Sequence, residues 1–220
     1  MSHVITSMLN EQVMEVRLNR PDQLNAISPD MLDGIIEAMQ QAEHSRTVRA
    51  IVLTGEGRGF CAGADLTTQS GPGDIPGTEG MSDLGFTYKY QERIAQAALA
   101  IHECDKPVIA AINGAAVGGG LAFALACDLR IATRGAKLGS VFIQTGLSSC
   151  DIGVSYFLPR LIPPTMAMEL MVTGRIFLAQ EADELGLLNA LVEPEQLQQK
   201  ALELAGAIAA NSEYGVWMTK

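Results

Sequence analysis

The period of the apolar positions changes along the chain, and each change predicts an element. Residues 4–9 and 13–18 alternate apolar with polar on either side of Asn10-Glu11, which predicts a hairpin. Pro21 ends it. Ser28-Pro29 then opens a helix, with Ser28 as N-cap, Pro29 at the first helical position, and Met31, Leu32, Ile35, Ile36 and Met39 on one face. Residues 48–54 and 107–112 are short continuous apolar runs, read as buried strands, and 128–132 as a third. Residues 70–85, rich in Gly, Pro, Ser and Asp, read as a surface loop, 86–103 as a helix, and the remainder as mostly helical, closing with a helix over 195–210. Strands alternating with helices place the chain in the α/β class.

A strand, a glycine-rich turn and a helix follow one another twice, at 48–66 and at 108–126. The first turn lies within Gly55 to Asp65 (GEGRGFCAGAD), the second within Asn113-Gly114-Ala115-Ala116-Val117-Gly118-Gly119-Gly120. Such a turn presents unpaired N–H groups at the positive end of a helix dipole, a seat for a phosphate or a developing oxyanion. The named phosphate loops do not fit. Gly118 and Gly120 begin GxGxxG, but Phe123 stands in the third place; Gly114 to Gly119 has the GxxxxG spacing, but Gly120-Leu121 follows where Lys and Ser/Thr are needed. The alternative for both turns is purely conformational, glycines permitting tight reversals and close helix packing.

Composition narrows the classes. The 220 residues suit one domain, and 48% hydrophobic with 18% charged is globular rather than disordered. A net charge of −10 argues against a phosphate-backbone binder, so no nucleic-acid partner is expected. Cys61, Cys104, Cys127 and Cys150 form no CxxC, and His3, His44 and His102 have no ligand-like neighbours, so no metal is expected. The longest apolar stretch is broken by Asn113 and four glycines, and the first residues carry Glu11 and Glu15. These features read as a reduced, cytoplasmic protein with no membrane partner.

Five motifs then occur in order: Arg20-Pro21-Asp22-Gln23-Leu24-Asn25-Ala26, Phe60-Cys61-Ala62-Gly63-Ala64-Asp65-Leu66, the second glycine turn, Ala126-Cys127-Asp128-Leu129-Arg130-Ile131-Ala132, and Leu158-Pro159-Arg160-Leu161. Together they resemble the crotonase (enoyl-CoA hydratase/isomerase) superfamily over nearly the whole chain. The resemblance implies a right-handed superhelix of ββα units, a homotrimer or dimer of trimers, and an acyl-CoA thioester substrate without further cofactor. It implies one crotonase-like domain over 1–220, with a spiral core to about 195 and the start of a C-terminal helical region, cut short relative to the family, over 195–220. It matches the two backbone donors that hold a thioester enolate to Ala64 and Gly119. Ala62, Asp65 and Leu66 match positions at the adenine and pantetheine end, Leu24 and Ala26 the opposite wall, and Val117, Gly118 and Phe142 complete the substrate-binding set. Asp65 also has a plain reading as a helix N-terminal carboxylate.

The catalytic acids depart from the family pattern. A hydratase positions water with two glutamates, but their places fall on Ala122 and Phe142. Asp151, in Gly146-Leu147-Ser148-Ser149-Cys150-Asp151-Ile152-Gly153, matches the aspartate of relatives that shift double bonds in dienoyl-CoAs or dehalogenate aroyl-CoAs. Its other reading is a cap for the helix that starts near Gly153. Glu92 reads as a solvated helix face, and Tyr88 and Tyr90 cannot face one pocket from the same helix. Val141, Phe142, Ile143 and Leu147 predict an apolar pocket wall. The expectation is an acyl-CoA enzyme favouring double-bond isomerisation or related one-carboxylate chemistry over hydration; the alternative is a non-catalytic acyl-CoA-binding protein.

Overall fold

The computed structural model describes residues 2–65, 71–73, 75 and 77–220. Strands β1 (Val4–Met8) and β2 (Val13–Leu18) form the antiparallel hairpin, Val4 opposite Leu18 and Met8 opposite Met14. Asn10 closes it, its Oδ1 accepting the Gln12 and Val13 N–H groups at 2.8 and 2.9 Å. Helix α1 (Pro29–His44) starts as its residues dictate, with Ser28 Oγ accepting the Met31 N–H.

The chain then winds between two sheets. Strand β3 (Ala50–Gly55) leads to β4 (Gly59–Cys61), followed by helix α2 (Asp83–Glu103); β5 (Val108–Ile112) leads to β6 (Ala115–Val117) and α3 (Gly119–Ala126); β7 (Leu129–Thr133) leads to β8 (Lys137–Gly139). Strands β3, β5 and β7 lie side by side and parallel in one sheet, and β4, β6 and β8 in the other. Each turn of the superhelix thus adds one strand to each sheet. Helices α4 (Val154–Leu161) and α5 (Pro164–Thr173) follow, then β9 (Ile176–Leu178), antiparallel to β8, α6 (Ala179–Glu184) and β10 (Ala190–Val192), parallel to β7. Helices α7 (Leu197–Ala209) and α8 (Glu213–Thr219) complete the described chain.

Alternation along β3 divides the core. Ile51 and Leu53 face the main cluster with α1 and α3, whereas Ala50 and Val52 face Leu197, Ala201 and Ala205, spaced by fours along α7. All eight residues of α3 are buried, which accounts for its apolar character on every side. Arg130 closes the C-terminal end of α3. It is 5% exposed, and its guanidinium donates to the carbonyls of Cys127 at 2.6 Å and Leu187 at 3.1 Å. A cation suits that negative dipole end, and burial holds its pKa below the usual arginine value.

The three-residue strands of the second sheet are the elements that periodicity does not predict. Helix α2 begins at Asp83, earlier than 86, because Ser82 Oγ caps it by accepting the Gly85 N–H. Parts of the 70–85 loop (Ser70, Asp74 and Pro76) lie outside the described residues. No described helix is long and apolar enough to cross a membrane.

Candidate active site

The two glycine turns meet at one cavity of about 80 Å³, which both Ala64 and Gly119 line. Gly118, between β6 and α3, has φ 56° and ψ −119°, a conformation that a side chain resists, and its N–H donates to the Gly139 carbonyl at 2.8 Å. This kink ends the strand and starts α3 at once, so the Gly119 N–H heads the helix with no acceptor inside it. On the other side, the Ile27 N–H donates to the Gly63 carbonyl at 2.8 Å, and Ile27 pairs with Ala64 in an isolated parallel bridge. The Ala64 N–H meets no acceptor among the described residues.

Side chains from three further segments close the space. Gln91 and Ile94 come from α2, Val141, Phe142 and Thr145 from the turn after β8, and Leu147 and Ile152 from the loop before α4. Thr145 Oγ1 donates to the Phe142 carbonyl at 3.0 Å. None of the described lining residues carries a carboxyl group. Tyr90 braces this wall: its hydroxyl donates to the Ile27 carbonyl at 3.2 Å, its ring stacks on Phe86, and burial raises its phenol pKa.

Of the residues singled out in the sequence, Ala62, Ala64, Gly118, Gly119 and Phe142 line the cavity. Leu24 and Ala26 sit beside it, the Ala62 N–H donating to the Leu24 carbonyl at 3.0 Å. Val117, half-buried, ends β6 one residue before the kink. Asp65 forms an ion pair, its Oδ2 2.9 Å from Arg20 Nη2, while Arg20 Nη1 donates to the Ala26 carbonyl at 2.6 Å. Arg20 therefore ties the 24–26 segment to the 62–65 turn. Leu66 lies outside the described residues, as do the residues that the capping role of Asp65 concerns.

Asp151 is exposed and does not line the cavity. Its Oδ2 accepts the Ser148 N–H at 3.2 Å, and it borders a neighbouring groove with His102, Tyr156 and Phe157. Ala122 is fully buried within α3, and Phe142 fills part of the cavity wall. Ile143 points away, 51% exposed, because the 3₁₀ turn of residues 141–145 sends successive side chains in different directions. Ser140 and Ser149, both buried, bond each other Oγ to Oγ at 2.7 Å and pin the 148–151 turn to the end of β8. Glu92 pairs with Lys89 on the surface, and Tyr88 is exposed while Tyr90 turns inward.

Ile27, Gln91, Ile94, Thr145 and Ile152 line the cavity without having been singled out in the sequence. Gln91 and Ile94, three apart on one helix face, carried the usable signal.

The family model described as enoyl-CoA hydratase/isomerase matches residues 8–220. The chain belongs to the enoyl-CoA hydratase/isomerase family. It is 36% identical over 219 residues to a Mycobacterium bovis protein named "Probable enoyl-CoA hydratase echA12", covering 100% of this chain and 76% of that one. It is also 36% identical over 222 residues to the 1,2-epoxyphenylacetyl-CoA isomerase of Escherichia coli, covering 100% and 81%. The crystal structure of an enoyl-CoA hydratase from Bacillus anthracis superposes with a TM-score of 0.90 at 34% identity, covering 99% of this chain and 80% of that one. The two parallel three-rung stacks are thus the crotonase fold of this family.

Proposed function

We propose that the chain acts on acyl-CoA thioesters, holding the thioester oxygen between the Ala64 and Gly119 N–H groups as an enolate forms. The observation that carries this reading is the convergence of the two glycine turns on one largely apolar cavity, one donor heading a buried helix. Two fixed donors in a water-poor site favour the charged enolate over the neutral thioester; losing one such donor costs about 2.7–4 kcal/mol of transition-state stabilisation elsewhere. Non-ionisable Ala122 and Phe142 stand where the family resemblance places the two glutamates of a hydratase, which supports double-bond isomerisation or related one-carboxylate chemistry over hydration. In this reading Asp151, one residue before the lining residue Ile152, is the acid/base, and its carboxylate has to leave the Ser148 N–H and turn toward the cavity when substrate binds.

A second reading, an acyl-CoA binder without turnover, is favoured by the exposure of Asp151 and its bond to the Ser148 N–H. Incubation with enoyl-, dienoyl- and aroyl-CoAs in D2O, read by mass spectrometry, separates the two. Deuterium uptake or product formation that is lost in Asp151→Asn supports the enolate enzyme. Full activity in that variant removes Asp151 from the mechanism, and tight binding without exchange on any thioester establishes the binder.

A further inference from the structure

Behind the cavity lies a second, larger space. A groove of about 430 Å³ runs between α2 and the start of α4, walled by Ala98, Leu99, Tyr156 and Phe157, with Asp151 and Glu103 at its margins. Its aromatic side is preassembled: the Tyr156 and Phe157 rings stand edge-to-face at 5.2 Å, and the His102 ring meets Phe157 at 5.0 Å. Arg160 lies over the Tyr156 ring at 3.8 Å and holds it from the solvent side.

Among the described residues, one alone lines both spaces, Ile152. Its side chain is 4% exposed, and its Cδ1 would stand 3.5 Å from a β-carbon on Gly119. It therefore reaches from the candidate oxyanion donor to the groove. The size of the cavity in front of it is limiting. At about 80 Å³ it is several times smaller than the groove of about 430 Å³. Small-molecule sites usually have ~300–1,000 Å³, a range that the groove reaches and the cavity does not.

We propose that Ile152 determines acyl-group specificity: its side chain confines the acyl end to a few carbons, and shortening it joins the cavity to an aromatic subsite that accepts medium-chain and aryl acyl groups. The occupant assigned to the groove is the distal part of the acyl group, because the groove continues the cavity through this one side chain. Edge-to-face rings suit an aryl group, and the alanine and leucine wall suits methylenes. The inference rests on the acyl-CoA reading but not on turnover, so binding can test it.

The experiment is calorimetric titration of the wild-type chain, Ile152→Val and Ile152→Ala with butyryl-, octanoyl- and phenylacetyl-CoA. The wild type is expected to bind butyryl-CoA at least tenfold more tightly than the other two. Ile152→Ala is expected to narrow that preference at least tenfold, mostly through gain on octanoyl- and phenylacetyl-CoA. Ile152→Val, one methylene shorter and compatible with the buried site, is expected to shift the preference in the same direction by a smaller factor, and it carries the test if the alanine variant does not fold. Equal wild-type affinities for the three, or an unchanged preference in the variants, overturns the role of Ile152 while leaving the acyl-CoA reading intact. Failure of all three to bind overturns that reading, and the specificity role with it.

Discussion

Ile27 packs over Gly119 so closely that a β-carbon on Gly119 would stand 2.5 Å from the Ile27 Cδ1. The same isoleucine holds the Gly63 carbonyl through its N–H at 2.8 Å. One residue that belongs to neither glycine turn therefore sets the spacing of both.

The next glycine is constrained in a different way, and the contrast is testable. A β-carbon on Gly119 meets the far end of a flexible side chain, that of Ile27, which also lines the cavity. A β-carbon on Gly120 would lie 2.0 Å from the Cys61 carbonyl oxygen, in the backbone of β4, which cannot yield. Overpacking typically costs 1–3 kcal/mol. Gly119→Ala is expected to fold with a loss of about 1 kcal/mol and to lose at least tenfold in acyl-CoA affinity or turnover. Gly120→Ala is expected to lose more than about 3 kcal/mol or to fail to fold. Urea unfolding ranks the two, and the reverse order would refute the packing argument.

Arg20 and Asp65 form the other tie. Their side chains are 14% and 6% exposed, so the pair is largely desolvated. Removing one partner of a buried pair costs about 3–5 kcal/mol, and the residual exposure of Arg20 places this pair at the lower end. Arg20→Met should lower the melting temperature by roughly 6–12 °C, taking about 2–4 °C per kcal/mol for a chain of this size. Arg20→Lys should recover only part, since an ammonium cannot serve the Ala26 carbonyl and the Asp65 carboxylate as a planar fork does. Differential scanning calorimetry checks both; a Lys variant as stable as wild type would show that charge alone suffices.

The Arg20–Asp65 tie spans 45 positions and shows what a sequence can and cannot reveal here. The hairpin, α1 and the long strands were legible because each is coded locally, by alternation, a serine cap or an apolar run. The strand at Gly59–Cys61 was not, because three residues with a glycine carry no period, and its partner at Ala115–Val117 is brought to it only by the winding of the chain. The candidate donors Ala64 and Gly119 were legible as positions in two matching motifs. The cavity walls were not: Ile152 and Gln91 become neighbours of Gly119 only after α2 and α4 have packed, and no spacing in the chain records that. Asp151 was legible as a residue type in a motif, whereas its exposure depends on the turn fixed by the buried Ser140–Ser149 bond.

That turn predicts how Asp151→Asn behaves. An asparagine oxygen can still accept the Ser148 N–H, and the side chain is exposed, so stability should change by less than about 0.5 kcal/mol. Unfolding curves that superimpose on wild type would allow any loss of deuterium exchange to be assigned to proton transfer. A loss above about 1 kcal/mol would instead assign Asp151 a structural role in the turn.

The cysteines give a pH dependence with a definite sign. Burial pushes the Cys61 and Cys127 thiols up from 9.0 to about 12, whereas Cys150, exposed and hydrogen-bonded by Ser148 and Ser155, is held below 9.0. For the two buried thiols the folded state keeps a proton that the unfolded state has released between pH 9 and 12. Their contribution to stability is therefore full below about pH 9 and is lost as pH rises, by up to about 1.4 kcal/mol per pH unit for each thiol. Urea unfolding at pH 8, 9.5 and 10.5 should show this decline, and Cys127→Ala should make it shallower. The same ordering governs reactivity, because the thiolate is the nucleophile. A disulfide reagent at pH 8 should titrate one thiol rapidly in the native protein, that of Cys150, and all four in denaturant. A second fast thiol in the native state would mean that β4, the end of α2 or the end of α3 opens, and if it maps to Cys61 or Cys127 the stability argument for those two fails with it.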